Sequence, residues 1–298
     1  MDESKITERG VYGCLAVVLF SVLSIVASIA VGVFFGAGSG FSPTLSSSSL
    51  RRSACFEPSR RPVISMGGYS IASVSWGKDS TAMLWKLIDS NMPLDEVLFF
   101  DTGMEFDAIY DERNKMLPVL ARNGIKYTEL RPKNPMWWSM LCRPVKSRKT
   151  GEVHKTGYGW CGGACRWGTT EKTSALDAYA TARNAIVYVG IAADETRRIA
   201  RARQDFKRLP LVDFGMTEAD CLALCYKRGN EWLDHGVRLY DVLDRASCWL
   251  CRNKNMRELK AIHEHLPVYW ERLIALEGVC GQMKSRPLSE IAGAWNER

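Results

Sequence analysis

The chain has 298 residues, of which 46% are hydrophobic and 24% charged, and its formal net charge is +7. These are the proportions of a globular protein with room for one sizeable α/β domain plus additions, and they exclude a chain that is disordered or of low complexity throughout. The positive balance favours anionic partners without choosing among nucleotides, sulfonucleotides, nucleic acid and anionic lipid.

Residues 11–38 contain no charged side chain, and as a helix they can cross a bilayer core of about 30 Å. Lys5 and Arg9 precede the run as they would in a signal peptide, but it exceeds the usual apolar region of about 7–15 residues. Arg51, Arg52, Arg60 and Arg61 follow it. Positive charge prefers the cytoplasmic side, so a spanning helix would tether a cytoplasmic domain to the inner face of the membrane. Ten cysteines with CxxC spacing also fit a reducing compartment. Residues 39–68 read as a disordered linker rich in Ser, Arg and Pro, with Met66 just before the first strand. Translation from Met66, giving a protein without the apolar segment, is an equal alternative.

From there strand and helix alternate: strand 69–75, helix 80–91, strand 96–100, helix 107–123, strand 126–130, a long interruption, helix 170–183 and strand 185–191. Such alternation predicts a doubly wound parallel sheet with helices on both faces. The expected nucleotide-binding α/β domain covers 69–215, with an insert at 131–168. The region 216–298 is expected to be helical, with helices over 217–229, 256–265 and 267–277.

The turn after the first strand reads Ser75-Trp76-Gly77-Lys78-Asp79-Ser80-Thr81. Gly77 lets the backbone approach an anion, and the N–H groups at the following helix start face the same point. Lys78 adds a charge, Ser75, Ser80 and Thr81 add hydroxyls, and Asp79 can cap the helix. The bland alternative is an ordinary strand-to-helix turn capped by Asp79 and Ser80. Neither a Walker loop nor a Rossmann fingerprint has this spacing.

Cys161-Gly-Gly-Ala-Cys165 and Cys248-Trp-Leu-Cys251 form two close pairs far apart in sequence. Four thiolates from such pairs can complete a zinc site or hold an iron–sulfur cluster. A redox dithiol and buried filler are the alternatives. Cys221 and Cys225, one helical turn apart, read as core.

The turn 75–80 resembles the S-G-G-K-D-S pyrophosphate loop (PP-loop) of the adenine nucleotide α-hydrolase group, with Trp76 where that group has Gly. Further segments resemble its phosphoadenylyl-sulfate (PAPS) reductase branch. Asp101-Thr102-Gly103-Met104-Glu105-Phe106 is similar to that branch's D-T-G-x-E-F, at the end of an apolar strand where open α/β sheets bind ligands. Gly190 through Arg198 is similar to its G-x-x-x-D-E-x-x-R, and residues 209–213 to its P-L-x-D/E-W segment. The resemblance implies an adenine nucleotide, PAPS or ATP, at residues 75–81. It puts Asp101, Thr102 and Gly103 beside the adenosine, and Gly190, Asp194, Arg197 and Arg198 near the phosphate or sulfate end.

Two reactions then compete. In a reductase a cysteine thiolate attacks the sulfate sulfur, and a thioredoxin-like dithiol releases sulfite. Here that thiolate would be Cys280, since Cys280-Gly281 is similar to the family's E-C-G tail, although Glu277 is displaced and no His follows. In an ATP pyrophosphatase a nucleophile attacks the α-phosphate, and pyrophosphate leaves, held by the loop, Lys78 and usually Mg²⁺. The insert interleaves Arg131, Lys133, Arg143, Lys146, Arg148, Lys149 and Lys155 with Trp137, Trp138, Tyr158 and Trp160. This pattern suits a solvated nucleotide lid, or nucleic acid as in tRNA-thiolating and DNA-phosphorothioation enzymes. A non-catalytic nucleotide-binding regulator is the third reading.

Overall fold

A computed structural model describes residues 68–202 and 205–297. The expected apolar span at 11–38 and residues 39–67 of the expected linker lie outside the described residues. Among the described residues no helix is long and apolar enough to cross a membrane.

The centre is a five-stranded parallel sheet built from β1 (Ser70–Ser73), β2 (Glu96–Phe100), β3 (Lys126–Leu130), β6 (Ile186–Val189) and β7 (Lys207–Arg208), in the order β3-β2-β1-β6-β7. β2, reading EVLFF, is buried at every position, as expected of a parallel strand covered on both faces. Alternate residues serve opposite layers. Ala72, Val97 and Phe99 join the main core beneath α1 (Lys78–Asp89) and α2 (Asp107–Arg122), whereas Ile71, Leu98 and Val187 pack with Leu176 and Tyr179 of α4 (Lys172–Thr181). The sheet is therefore doubly wound. Buried Glu96 opens β2 and is fully engaged, pairing with Lys126 at 2.9 Å and accepting from Tyr179 Oη at 2.8 Å and from Thr128.

The expected interruption is structured. Residues 136–141 form α3, and β4 (Pro144–Lys146) pairs antiparallel with β5 (Val153–Thr156) in a hairpin. The expected helix at 170–183 starts earlier, as one π-helical stretch at Arg166–Glu171 continuous with α4. The first and sixth strands are shorter than expected at both ends, since only Ser70–Ser73 and Ile186–Val189 are aligned in the ladder.

Beyond β6 follow α5 (Thr196–Ala202), β7, α6 (Pro210–Asp213) and α7 (Glu218–Lys227). A small hairpin of β8 (Leu233–Asp234) and β9 (Val237–Arg238) leads to α8 (Leu239–Val242). The chain then forms α9 (Met256–His265), α10 (Pro267–Cys280) and α11 (Leu288–Asn296). The capping boxes Thr217/Asp220 and Asn255/Glu258 fix the starts of α7 and α9. This helical region shares the main core with the sheet: Trp232, Leu259, Tyr269 and Leu273 belong to the same buried cluster as Val74 and Met83.

Candidate functional site

In the order β3-β2-β1-β6-β7 the chain leaves β1 toward one side of the sheet and later returns to its other side, so β1 and β6 flank the topological switch point. Crevices at such points, beyond the carboxyl ends of the strands, are where open α/β sheets bind ligands. Both anion-type segments, 75–81 after β1 and 190–198 after β6, emerge there.

The loop is tightly built. Ser75 N–H donates to Ser80 Oγ at 3.2 Å, Ser80 Oγ donates to the Gly77 carbonyl at 3.1 Å, and Thr81 N–H reaches the same carbonyl at 3.0 Å. Gly77 is the N-cap, so α1 begins at Lys78, two residues before the expected start. Gly190 closes the loop from the β6 side. A Cβ there would lie 2.7 Å from Ser80 Cα and 2.9 Å from Ser80 N, so only glycine lets this strand end meet the helix start.

Trp76 departs from the expected ligand contact. It holds φ at +59° and is 0% exposed. The left-handed backbone costs a non-glycine residue about 1–3 kcal/mol. The indole is inserted into the core against Phe99 and Tyr127, with ring centroids 6.3 and 6.0 Å away, and the Trp76 carbonyl accepts from Trp232 Nε1 at 2.6 Å. Burying a large aromatic, worth about 3–5 kcal/mol against alanine, offsets the strain. Position 76 thus offers a ligand only its backbone.

Lys78 also differs from a free phosphate-binding charge. Its ammonium pairs with Asp79 at 2.9 Å and Glu218 of α7 at 3.1 Å, and its N–H donates to Tyr240 Oη at 2.9 Å. Burial alone would push the ammonium pKa down, but the two carboxylates more than offset it, leaving the pKa raised. Burial likewise pushes the Asp79 carboxyl up, with Lys78 opposing. Oxygens of Asp79, Glu195 and Glu218 lie within 4.8 Å of one another, a donor set that suits a hard cation such as Mg²⁺.

Beside them opens a cavity of about 430 Å³ lined by Asp194, Glu195, Arg197, Arg198, Glu218 and Arg245, among others. Arg198 pairs with Glu195 at 2.5 Å, and Arg245 with Glu195 at 3.1 Å and Glu218 at 3.5 Å. Asp194 is turned to structure, accepting the Glu218 N–H at 3.1 Å. Arg245, Glu218 and Tyr240 were not singled out from sequence. Glu218 and Tyr240 reach Lys78, and Arg245 reaches Glu195 and Glu218, from distant segments, and no local pattern marks them.

At the end of β2, Asp101 Oδ1 accepts from Gly103 N–H at 2.8 Å and Tyr110 Oη at 2.7 Å, with Arg131 Nε 3.6 Å from Oδ2. Gly103 holds φ at +73°, which shapes this turn. Thr102 Oγ1 donates to Glu105 at 3.0 Å and lies 3.6 Å from Cys248 Sγ, which is itself 3.6 Å from Glu105 Oε1. The second motif and the cysteines therefore meet.

All four cysteines of the quartet, Cys161, Cys165, Cys248 and Cys251, line one cavity of about 140 Å³ together with Trp160, Trp167, Met136 and Met140. The Arg166 N–H donates to Cys161 Sγ and the Gly168 N–H to Cys165 Sγ, each at 3.3 Å. Gly168 leaves room between the pairs: a Cβ there would sit 3.6 Å from Cys165 Sγ and 3.9 Å from Cys248 Sγ. Burial raises the Cys165 and Cys248 thiol pKa values, and Glu105 adds to the second. Among the described residues, no three of these thiols lie within 4.8 Å of one another. One zinc ion with bonds of about 2.3 Å would draw tetrahedral sulfurs to roughly 3.8 Å apart. Cys221 and Cys225 are wholly buried in the main core, as expected, and Cys225 Sγ donates to the Lys78 carbonyl at 3.4 Å.

No protein-family model and no curated protein matches the chain. Among solved structures it is similar to the U34-tRNA thiolase NcsA from Methanococcus maripaludis with its 4Fe–4S cluster, at 12% identity and a TM-score of 0.41, over 75% of this chain and 80% of that one. At that distance the likeness carries no assignment, and the functional reading rests on the site.

Cys280 is the last residue of α10, and the chain continues into α11. Burial pushes its thiol up to about 11, and the negative end of a helix dipole further disfavours a thiolate. It lies between two helices, where the reductase resemblance implies a C-terminal tail. It does lie near the cysteine cavity, because Trp160 Nε1 donates to the Gly281 carbonyl at 2.6 Å.

Proposed function

We propose that this chain is a PP-loop enzyme of the ATP pyrophosphatase type that binds ATP at residues 75–81 and uses adenylation in sulfur transfer. A nucleophile attacks the α-phosphorus, the bond to the bridging oxygen breaks, and pyrophosphate leaves with that electron pair. Lys78 neutralises charge on the leaving group. The Ser80 hydroxyl and the N–H groups of Asp79 and Ser80 at the α1 start orient it, and Arg197 and Arg245 close the open side. Mg²⁺ held by Asp79, Glu195 and Glu218 would screen the phosphates and relieve the repulsion those carboxylates otherwise exert. The four thiols line one cavity and would hold a thiolate-bound metal group there, an iron–sulfur cluster or zinc. As a cluster such a group supplies soft sulfur and redox chemistry, while Thr102 and Glu105 orient Cys248 beside it.

The observation that carries this reading over PAPS reduction is the placement of Cys280 at the C-terminal end of α10, with α11 following, where both burial and the helix dipole disfavour the thiolate a nucleophile needs. The reductase reading stands second, favoured by the Trp160–Gly281 bond that holds Cys280 near the cysteine cavity. Offering the protein ATP with Mg²⁺, and separately PAPS with reduced thioredoxin, distinguishes them. The expected result is pyrophosphate from ATP, undiminished in Cys280→Ser, and no sulfite from PAPS. Sulfite release that disappears in Cys280→Ser would establish the reductase and remove the present proposal.

A further inference from the structure

Most of the chain's net charge is in one place. Residues 132–170 hold seven Lys or Arg against the single acid Glu152, a surplus of six, where the whole chain has a surplus of seven. The β4–β5 hairpin at their centre displays Lys146, Arg148, Lys149, His154 and Lys155 in exposed positions, and every residue of β5 is exposed. A ribbon exposed along its length contributes little to the core, so its conformation must be held from its base.

Gly157, at φ +73°, holds that base. Its N–H donates to the Arg143 carbonyl at 2.7 Å, and a Cβ there would fall 2.2 Å from the Met140 carbonyl oxygen, inside α3. The ring of Tyr158 adds a second clamp, with the guanidinium carbons of Arg143 and Arg166 at 5.5 and 4.6 Å from its centroid. The α3 helix under this base carries Trp137, 40% exposed, and presents Met136 and Met140 to the cysteine cavity. A basic ribbon, an exposed indole and the thiol cavity therefore form one continuous structure.

We propose that the β4–β5 hairpin and Trp137 are a docking surface for an unpaired strand of nucleic acid, which they lead to the cysteine cavity. Lysines and arginines spaced along a ribbon match a run of phosphates, and an exposed aromatic face stacks an unpaired base, which a duplex keeps within its own stack. The docking surface stands on its own observations. It rests on the ATP pyrophosphatase reading only for the bound strand's role as sulfur acceptor.

The test uses the full-length protein and fluorescence anisotropy of labelled single-stranded RNA and DNA oligonucleotides over a salt series, with the matching duplex and phosphatidylserine vesicles as competitors. ATP binding is measured on the same preparations. Replacing Lys146, Arg148, Lys149 and Lys155 together with alanine is expected to reduce the slope of log affinity against log salt by about three, at about 0.7 per neutralised phosphate. Trp137→Ala is expected to weaken binding roughly tenfold at every salt concentration without changing that slope. Both variants should bind ATP as the parent does. An unchanged slope in the quadruple variant, competition by duplex or vesicles as strong as by the single strand, or loss of ATP affinity on neutralising the hairpin would overturn the inference. Protein that binds ATP but no oligonucleotide would overturn it and leave the adenylation reading intact. Oligonucleotide binding without ATP binding would uphold it and remove that reading instead.

Discussion

Gly190→Ala is expected to cost more nucleotide affinity than any other single methyl addition near the loop. The new Cβ would meet Ser80 Cα at 2.7 Å and Ser80 N at 2.9 Å, and both are backbone atoms that cannot rotate aside. The start of α1 must move, carrying Lys78 and the Ser80 hydroxyl away from the mouth of β6. Overpacking of this kind costs about 1–3 kcal/mol, which corresponds to a roughly 5- to 150-fold loss if it falls on the bound geometry. Gly293→Ala is the control. Its added Cβ meets nothing within 4 Å and lies within α11, where alanine is favoured over glycine by about 1 kcal/mol. Calorimetric titration with ATP and a melting curve for each variant check both outcomes. Equal ATP affinity in the two would mean that the loop and the β6 end do not form one site.

The second large effect is on metal content. Cys161→Ser, Cys165→Ser, Cys248→Ser and Cys251→Ser in oxygen-free protein are each expected to remove most bound metal and any visible charge-transfer absorption, because all four line one cavity. Cys280→Ser should keep both. Because burial raises the Cys165 and Cys248 thiol pKa values, ligation must displace protons, so metal uptake should strengthen as pH rises and weaken as it falls. Metal assay and spectra across a pH series measure this. Metal retained in all four variants would contradict the assignment.

What could be read in the sequence follows from how local its cause is. β2, β3 and α9 have the expected bounds, because an apolar run closed by a polar turn, or an Asn255 cap, is written in adjacent residues. The convergence of Cys161 and Cys165 with Cys248 and Cys251 was also legible, since CxxxC and CxxC pairs need a partner pair to complete a site. The partners of Lys78 were not. Glu218 and Tyr240 reach Lys78, and Arg245 reaches Glu218, only once the helical region has folded onto the sheet. Trp76 gives half a signal: it stands where the resembled group has Gly, the residue that a positive φ favours, and its φ is positive, but the pocket between Phe99 and Tyr127 that accepts the indole is a tertiary fact. The hairpin escaped notice because its strands are short and its charges mask any alternation.

The central claim is that Lys78 and its loop serve cleavage between the α- and β-phosphates of ATP. Its most direct measurement is pyrophosphate and AMP formation from ATP and Mg²⁺ by the parent protein and by Lys78→Ala, with single-stranded nucleic acid as acceptor and added sulfide, whose attack on the adenylated acceptor expels AMP. The account predicts equal amounts of the two products from the parent and a rate reduced about 10²- to 10³-fold in the variant, as when one preorganised charge-stabilising group is removed. ADP and phosphate as products, or a rate that does not respond to the loss of Lys78, would contradict it.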